Sequence, residues 1–399
     1  MVKNPFLEAD GKSYREIRAY GGRWRGGQGL RAAAPAPADP PLSLDSEALA
    51  LLGRAERELS RLALAGEMVP SVDWFIYGFV RKEAVTSSQI EGTQATLIDL
   101  LTFEAQREDD SAPGPDVQEV CNYVDALAYA REQLRRRKGL PLSMRLLNQT
   151  HARLMRGARG ADKQPGKVGR TQNWIGGTRR RNAVFVPPPP NLLDGLLNDF
   201  EHYIHTDDGL PPLVRAGLLH LQFETIHPYL DGNGRIGRLL VTLLLEEWNL
   251  LSKPLLYLSL FFKRNREDYY RLLNAVRLGG DWEGWIRFFL EGVASIAKEA
   301  TDTARDLFAL VSADRARALA APASSVMAVR LFEALGQHPI VTIARVTELL
   351  EITKPTATKA VNTLVDAGIL TETSGRRRDR TYSYAAYLDR LRVGTELEG

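Results

Sequence analysis

Residues 225–240 read Thr225-Ile226-His227-Pro228-Tyr229-Leu230-Asp231-Gly232-Asn233-Gly234-Arg235-Ile236-Gly237-Arg238-Leu239-Leu240, and the rest of the chain is best read outward from them. The stretch is a tight glycine-containing turn that opens directly into an amphipathic helix. Glycines let backbone N–H groups converge, and the start of a helix adds partial positive charge, so the turn is an anion site of the phosphate-binding kind. Arg235 and Arg238 stand three apart on the first helical turns, and two guanidinium forks suit a polyphosphate better than a single carboxylate. Asp231 sets an acidic oxygen beside those phosphates, which is what magnesium needs when phosphate and water supply its other ligands. His227, stiffened by Pro228, is the side chain in the loop suited to accept a proton near neutral pH.

Helical periodicity surrounds this turn. It runs from Asn191 to about Ala318, broken only at the loop itself, and also from Leu42 to about Arg107, where Leu49, Leu52, Leu59 and Leu62 recur at helical spacings. A helix is predicted over Asp116–Lys138, with Gly139 and Pro141 as stops, and another begins near Ser143. Between Gly160 and Pro190 the period is lost to glycine, threonine and β-branched residues, so this segment reads as a surface hairpin or flap. Residues 1–41 are rich in Gly, Arg, Ala and Pro and read as an extended arm. Beyond the linker Ala321–Ser325, helices are predicted at Val326–Leu335, Ile343–Leu350 and Lys354–Ala367, followed by strand-like runs around Arg376–Arg380. That is the layout of a winged helix-turn-helix. The resulting division is an arm (1–41), a helical region (42–138), a core (139–300), a linker helix and linker (301–325) and a C-terminal winged helix domain (326–395). The fold class is mainly α.

Composition narrows the function classes. The chain has 399 residues, 52 Lys+Arg against 49 Asp+Glu, and one cysteine. Collagen, coiled-coil arrays and wholly disordered chains are excluded. Cys121 alone forms no intrachain disulfide framework or four-cysteine zinc cage, which points to a reducing, cytoplasmic setting. The first 20 residues carry no apolar signal-peptide core, and no run of about 18 apolar residues predicts a membrane span. A net charge of +3 argues against a wholly nucleic-acid-binding surface and leaves room for a local basic patch.

His227 to Arg238 resembles the H-P-F-x-D-G-N-G-R-x-x-R signature of Fic-domain proteins, with Tyr229 in place of Phe. The likeness extends to Arg170–Gly177 with Ala183–Pro190, similar to that family's target-docking flap, and to Tyr269-Tyr270, similar to its nucleoside-pocket tyrosines. Ser87-Ser88-Gln89-Ile90-Glu91-Gly92 fits its S/T-x-x-x-E-G/N inhibitory motif, on a helix ending at Gly92. The resemblance implies a Fic-type helical core with a short β-hairpin flap and an activity: transfer of AMP from ATP to a Ser, Thr or Tyr hydroxyl of a target protein. His227 would be the general base and Asp231 the magnesium ligand. Gly232, Asn233 and Gly234 would form the anion hole at the α-phosphate, and Arg235 and Arg238 would bind the β- and γ-phosphates. Ile175, Gly176, Gly177 and Thr178 would cover the nucleotide and clamp the target by strand addition. Arg277 stands where some relatives have an amide near the adenine. Glu91 would pair with Arg238 and so inhibit transfer, and such a glutamate is also compatible with AMP removal.

In the third C-terminal helix Ala360, Val361, Leu364 and Val365 make an apolar face, with Lys354, Thr356, Thr358, Lys359 and Asn362 largely outside it. Thr356, Thr358 and Lys359 are placed to reach base edges, and Arg376, Arg377 and Arg378 to contact phosphates. The same layout also serves dimerisation or target docking. Two readings of the whole chain are therefore open. It is an AMP transferase with a targeting or autoregulatory module, or a DNA-binding regulator whose core senses nucleotide or holds a homodimer together.

Overall fold

In a computed structural model, which describes residues 42–68, 72–106, 113–177, 182–375 and 380–397, helix follows helix. They are α1 (Ser46–Met68), α2 (Val72–Ile90), α3 (Leu97–Ala105), α4 (Pro115–Arg135), α5 (Met144–Leu154), α6 (Pro190–His205), α7 (Pro212–Ile226), α8 (Asn233–Glu247), α9 (Ser259–Arg264), α10 (Arg266–Gly279) and α11 (Trp282–Ala320). The chain ends in α12 (Val326–Ala334), β1 (Ile340–Thr342), α13 (Ile343–Leu350), α14 (Lys354–Asp366), β2 (Thr371–Glu372), β3 (Thr381–Ser383) and α15 (Ala385–Leu391). The chain is mainly helical, as its periodicity predicts. The N-terminal arm, Thr178, the basic run Arg179–Arg181, and Arg376, Arg377 and Arg378 lie outside the described residues. Among the described residues no helix is long and apolar enough to cross a membrane.

The chain divides into two compact units. The first comprises the described part of Met1–Glu58 with Asn122–Leu251 and Phe261–Ser295. At its centre α7 is buried at every position from Leu213 to Ile226, and α8 is buried throughout Arg235–Leu245. A helix without a wet face belongs to the interior of a core, and the two pack on each other. Gly237 permits the close approach, because a Cβ there would lie 2.7 Å from Glu224 Oε1. Trp285, fully buried, donates its Nε1–H to the Gly217 carbonyl at 2.8 Å, satisfying the polar atom of the largest core side chain. Helix α5 starts where Ser143 Oγ accepts from the Leu146 amide (3.3 Å). Pro190 stands at the first position of α6, so the proline run both closes the flap and opens a helix.

The flap is less regular than the expected hairpin. Among its described residues the pairing is one isolated antiparallel bridge, Ile175 to Phe185, with amide-to-carbonyl distances of 2.8–3.2 Å. Gly176 and Gly177 turn out of strand geometry at positive φ, and the prolines from 187 onward carry no ladder donor.

The second unit comprises Leu59–Cys121, Ser252–Leu260 and Ile296–Gly399. Helix α2 is fastened along its length. Phe79 meets Tyr257 edge-on at 5.1 Å, and Glu83 accepts from the amide and hydroxyl of Ser259. Trp74 lies over Gly336, against Phe332 and Tyr387, and the Gln89 amide donates to the carbonyls of Ala95 (2.9 Å) and Thr395 (2.8 Å). The helix closes at Ile90, with Gly92 at φ 93° completing the turn, so Ser87 sits buried in its last turn and Glu91 just past its end.

In the C-terminal part of this unit Ser325 caps α12 and Thr342 caps α13. A three-stranded antiparallel sheet has the order β1-β3-β2, with Val341 opposite Tyr382 and Thr371 opposite Ser383. The strands lie at Thr371–Glu372 and Thr381–Ser383, on either side of the basic run where the sequence places them. Neither β1 nor α15 is visible in the sequence pattern, because three and seven residues are too few for a period to register.

Candidate active site

The decisive stretch folds as a helix end, a left-handed turn and a helix start. His227 is the C-cap of α7 with φ 51° and ψ 58°, its amide donating to Phe223 O at 2.9 Å. A left-handed conformation costs a branched or bulky L-residue roughly 1–2 kcal/mol, so the surrounding loop holds this histidine against its backbone preference. Asn233 ties the loop shut. Its Nδ2 donates to Tyr229 O (2.7 Å) and its Oδ1 accepts from Tyr229 N (2.9 Å). Gly232, the N-cap of α8 at φ 76°, has no side chain to spare room for: a Cβ would meet Met155 Sδ at 2.8 Å. The first amides of α8, at Asn233 and Gly234, have no intrahelical acceptor and carry the positive end of the helix dipole. Arg235 and Arg238 are 1% and 3% exposed. Two guanidinium groups are thus held out of water at an open helix N-terminus, which suits a multiply charged anion.

Asp231 is the half-exposed member of the group. Its Oδ1 accepts from Gly232 N (2.6 Å) and lies 3.7 Å from Arg235 Nη2. Among the described residues no three His, Cys, Asp or Glu side chains cluster to cage a metal. A single accessible carboxylate beside an anion site fits a cation such as magnesium that draws its remaining ligands from phosphate and water.

The flap and α10 border the same loop. Asn173 Nδ2 donates to Tyr229 O (3.1 Å), Gly169 N donates to Pro228 O (2.8 Å), and Trp174 and Val184 are exposed. Arg277 is buried with its guanidinium 4.3 Å from the Phe185 ring, donating to Glu224 O at 2.8 Å. Burial lowers it to about 10, opposed by Glu224. Arg277 therefore fastens α10 to the end of α7 immediately before His227. The tyrosine pair divides its roles. Tyr269 is buried, with its hydroxyl 3.0 Å from His220 Nε2, and Tyr270 is about one-third exposed. His220 Nδ1 lies 2.9 Å from the Gly237 carbonyl, and burial pushes the ring down to about 3, so it is a neutral core histidine.

Residues 141–245 match the Fic/DOC family model, and residues 49–132 match the Fic/DOC family N-terminal model. The chain carries a Fic/DOC domain. It is 35% identical over 133 residues to the protein adenylyltransferase Fic of Drosophila mojavensis, covering 32% of this chain and 24% of that protein. The protein of the same name from Drosophila grimshawi is 33% identical over 139 residues, covering 34% and 25%. This chain thus spans about a quarter of the length of the curated relatives it matches. The fold resembles the crystal structure of a Fic family protein from Desulfovibrio desulfuricans G20, with a TM-score of 0.56 over 88% of this chain and 98% of that one at 21% identity.

Within the Fic/DOC domain, the structure gathers His227, Asp231, Gly232, Asn233, Gly234, Arg235 and Arg238 on one turn and the helix it opens. Ile175, Gly176 and Gly177 stand in the flap tied to that turn. Ser87, Glu91 and Gly92 belong to the second unit, as do Thr356, Thr358 and Lys359, which are exposed on α14. One residue at the loop escapes the sequence reading. His151 of α5 stacks on Tyr229, with ring centroids 3.9 Å apart and planes 7° from parallel, and its Nε2 lies 3.0 Å from the Asp231 carbonyl oxygen. In the sequence it falls on the buried stripe Leu147, Thr150, His151, Leu154, where a histidine looks like any core position.

Proposed function

We propose that this chain is a protein adenylyltransferase, transferring AMP from magnesium-bound ATP to a hydroxyl side chain of a target protein. The observation that carries the reading is the pairing, on one turn, of a strained histidine with an open helix N-terminus flanked by two buried arginines. His227 takes the proton of the attacking hydroxyl, and the attack at the α-phosphorus is balanced by departure of pyrophosphate. The amides at the start of α8 face the charge that develops at the α-phosphate, and Arg235 and Arg238 hold the β- and γ-phosphates. Asp231 would hold magnesium, which when bound would supply charge neutralisation along the polyphosphate. The flap edge around Ile175 takes the target backbone by strand pairing. Glu91 is an internal brake acting on the Arg238 guanidinium, as the sequence resemblance implies. The names of the Drosophila relatives support the same chemistry. The test is incubation of the Glu91→Gly protein with magnesium and ATP labelled at the α-phosphate, followed by mass spectrometry of the chain and of added lysate proteins. An AMP adduct on a hydroxyl, absent from the same variant carrying His227→Asn, is the expected result. No adduct on any protein would overturn the reading, and loss of pre-installed AMP instead would assign removal.

A second reading concerns residues 326–395, which we take as a winged helix that binds duplex DNA. It is favoured by α14, whose Ala357, Ala360, Val361 and Leu364 are buried while Lys354, Thr356, Thr358, Lys359 and Asn362 are exposed along one side. Small polar and basic side chains on the open face of such a helix match a major groove. Retention of the full chain on random duplex at low salt tests it, and no retention would leave protein docking or dimerisation as the role of this module.

A further inference from the structure

We propose that His151 is a positioning residue for the phosphate loop, setting the direction of the Asp231 carboxylate and the amides that follow it. The proposal rests on the adenylyl-transfer reading above. The backbone amide of Gly166 donates to His151 Nδ1 at 2.8 Å. An amide N–H can only donate, so Nδ1 is the acceptor and the ring proton sits on Nε2. That proton is given to the Asp231 carbonyl at 3.0 Å. In a trans peptide the N–H of Gly232 points away from that carbonyl, and here it donates to Asp231 Oδ1 at 2.6 Å. One imidazole thereby fixes the 231–232 peptide plane, and the plane in turn fixes the carboxylate.

The hold is reinforced from the same helix. His151 lies flat on Tyr229, whose hydroxyl donates to Asn148 Oδ1 (2.8 Å) and whose backbone is clasped by Asn233. Helix α5 thus grips the loop at Tyr229 and at Asp231, the two residues flanking Leu230. The groups facing the ring are Asp231, Arg235 and the Met155 thioether, and Gly232 leaves the space a Cβ would take 3.3 Å from Nε2. With Nδ1 taken up by the Gly166 amide, the ring carries its proton on Nε2 and keeps this hydrogen-bond direction toward the Asp231 carbonyl. His151 moves no proton in the reaction. It fixes a ligand in place, as an outer hydrogen bond does around a metal site.

The test uses the full chain in the Glu91→Gly background, with α,β-methylene-ATP as a nucleotide that cannot transfer AMP. His151→Phe keeps the ring on Tyr229 and removes both hydrogen bonds, and His151→Gln restores a donor. Calorimetry should find binding with magnesium weakened about tenfold in His151→Phe, binding without magnesium changed less than about twofold, and the first loss mostly recovered in His151→Gln. Circular dichroism checks that each variant is folded. Unchanged binding with magnesium, or equal weakening with and without it, overturns the positioning role and leaves the adenylyl-transfer reading standing. A parent protein that binds no nucleotide under either condition removes that reading itself, and this proposal with it.

Discussion

Helices α8, after Gly232, and α14, after Thr353, both begin with no side-chain cap and with cations close behind. At α8 the cations are arginines sunk out of water, the backbone enters through two left-handed residues, and Asn233 clasps Tyr229 across the turn. At α14 the cations are Lys354 and Lys359, both exposed. A helix dipole alone is weak and screened by salt, worth well under about 1 kcal/mol at an open surface. What separates the two is desolvation. Enclosed donors grip one anion geometry strongly, whereas exposed ones attract any phosphate weakly.

The sharpest way to break this comparison is at His227. Asparagine tolerates the left-handed turn but cannot act as the base, so His227→Asn should lower AMP transfer by about 10³-fold while leaving the unfolding midpoint within a few degrees. Transfer within about tenfold of the parent would remove the histidine from the chemistry. Glu91→Gly comes next. On the proposed inhibitory role of Glu91, the variant should raise automodification by about tenfold or more, a change of about 1.4 kcal/mol, read with labelled ATP. No rise would mean the brake is misassigned.

A smaller effect follows from the buried rings. His151, His220 and His338 are pushed by burial to about 4, 3 and 4. Their folded values lie below the unfolded value of about 6.5, so the unfolded chain binds protons that the folded chain refuses. Stability is therefore full above about pH 6.5 and declines as pH falls toward 4, and thermal unfolding across that window checks the sign. The smallest single-residue effects belong to α14. Lys354→Ala and Lys359→Ala should each weaken duplex retention only a few-fold, with retention falling steeply between about 50 and 200 mM salt. Nucleotide binding at the enclosed α8 site should change far less over that range.

The helices of the core and the glycine turn at 227–234 are legible in the sequence because each is written locally. The leucine stripe of 239–245 and the glycines at 232 and 234 act within a few residues of themselves, and the helix starts read near Ser143, at Val326 and at Ile343 fall in the structure at Met144, Val326 and Ile343. The flap is only partly legible, since proline and glycine announce an irregular segment without saying that Ile175 pairs with Phe185.

What the tertiary structure alone decides is which side chains face one another across long separations. His151 and Asp231 are 80 positions apart, and His220 and Tyr269 are 49 apart. No spacing rule connects either pair, because the contact is made by packing α5 on the loop and α10 on α7. The same packing turns Tyr269 inward and leaves Tyr270 about one-third exposed, although the two are neighbours of identical chemistry. Sequence determined where the turn falls and which residue types line it, through local spacing. Tertiary packing determined how firmly the turn is held, since burial and long-range hydrogen bonds set orientation and charge state.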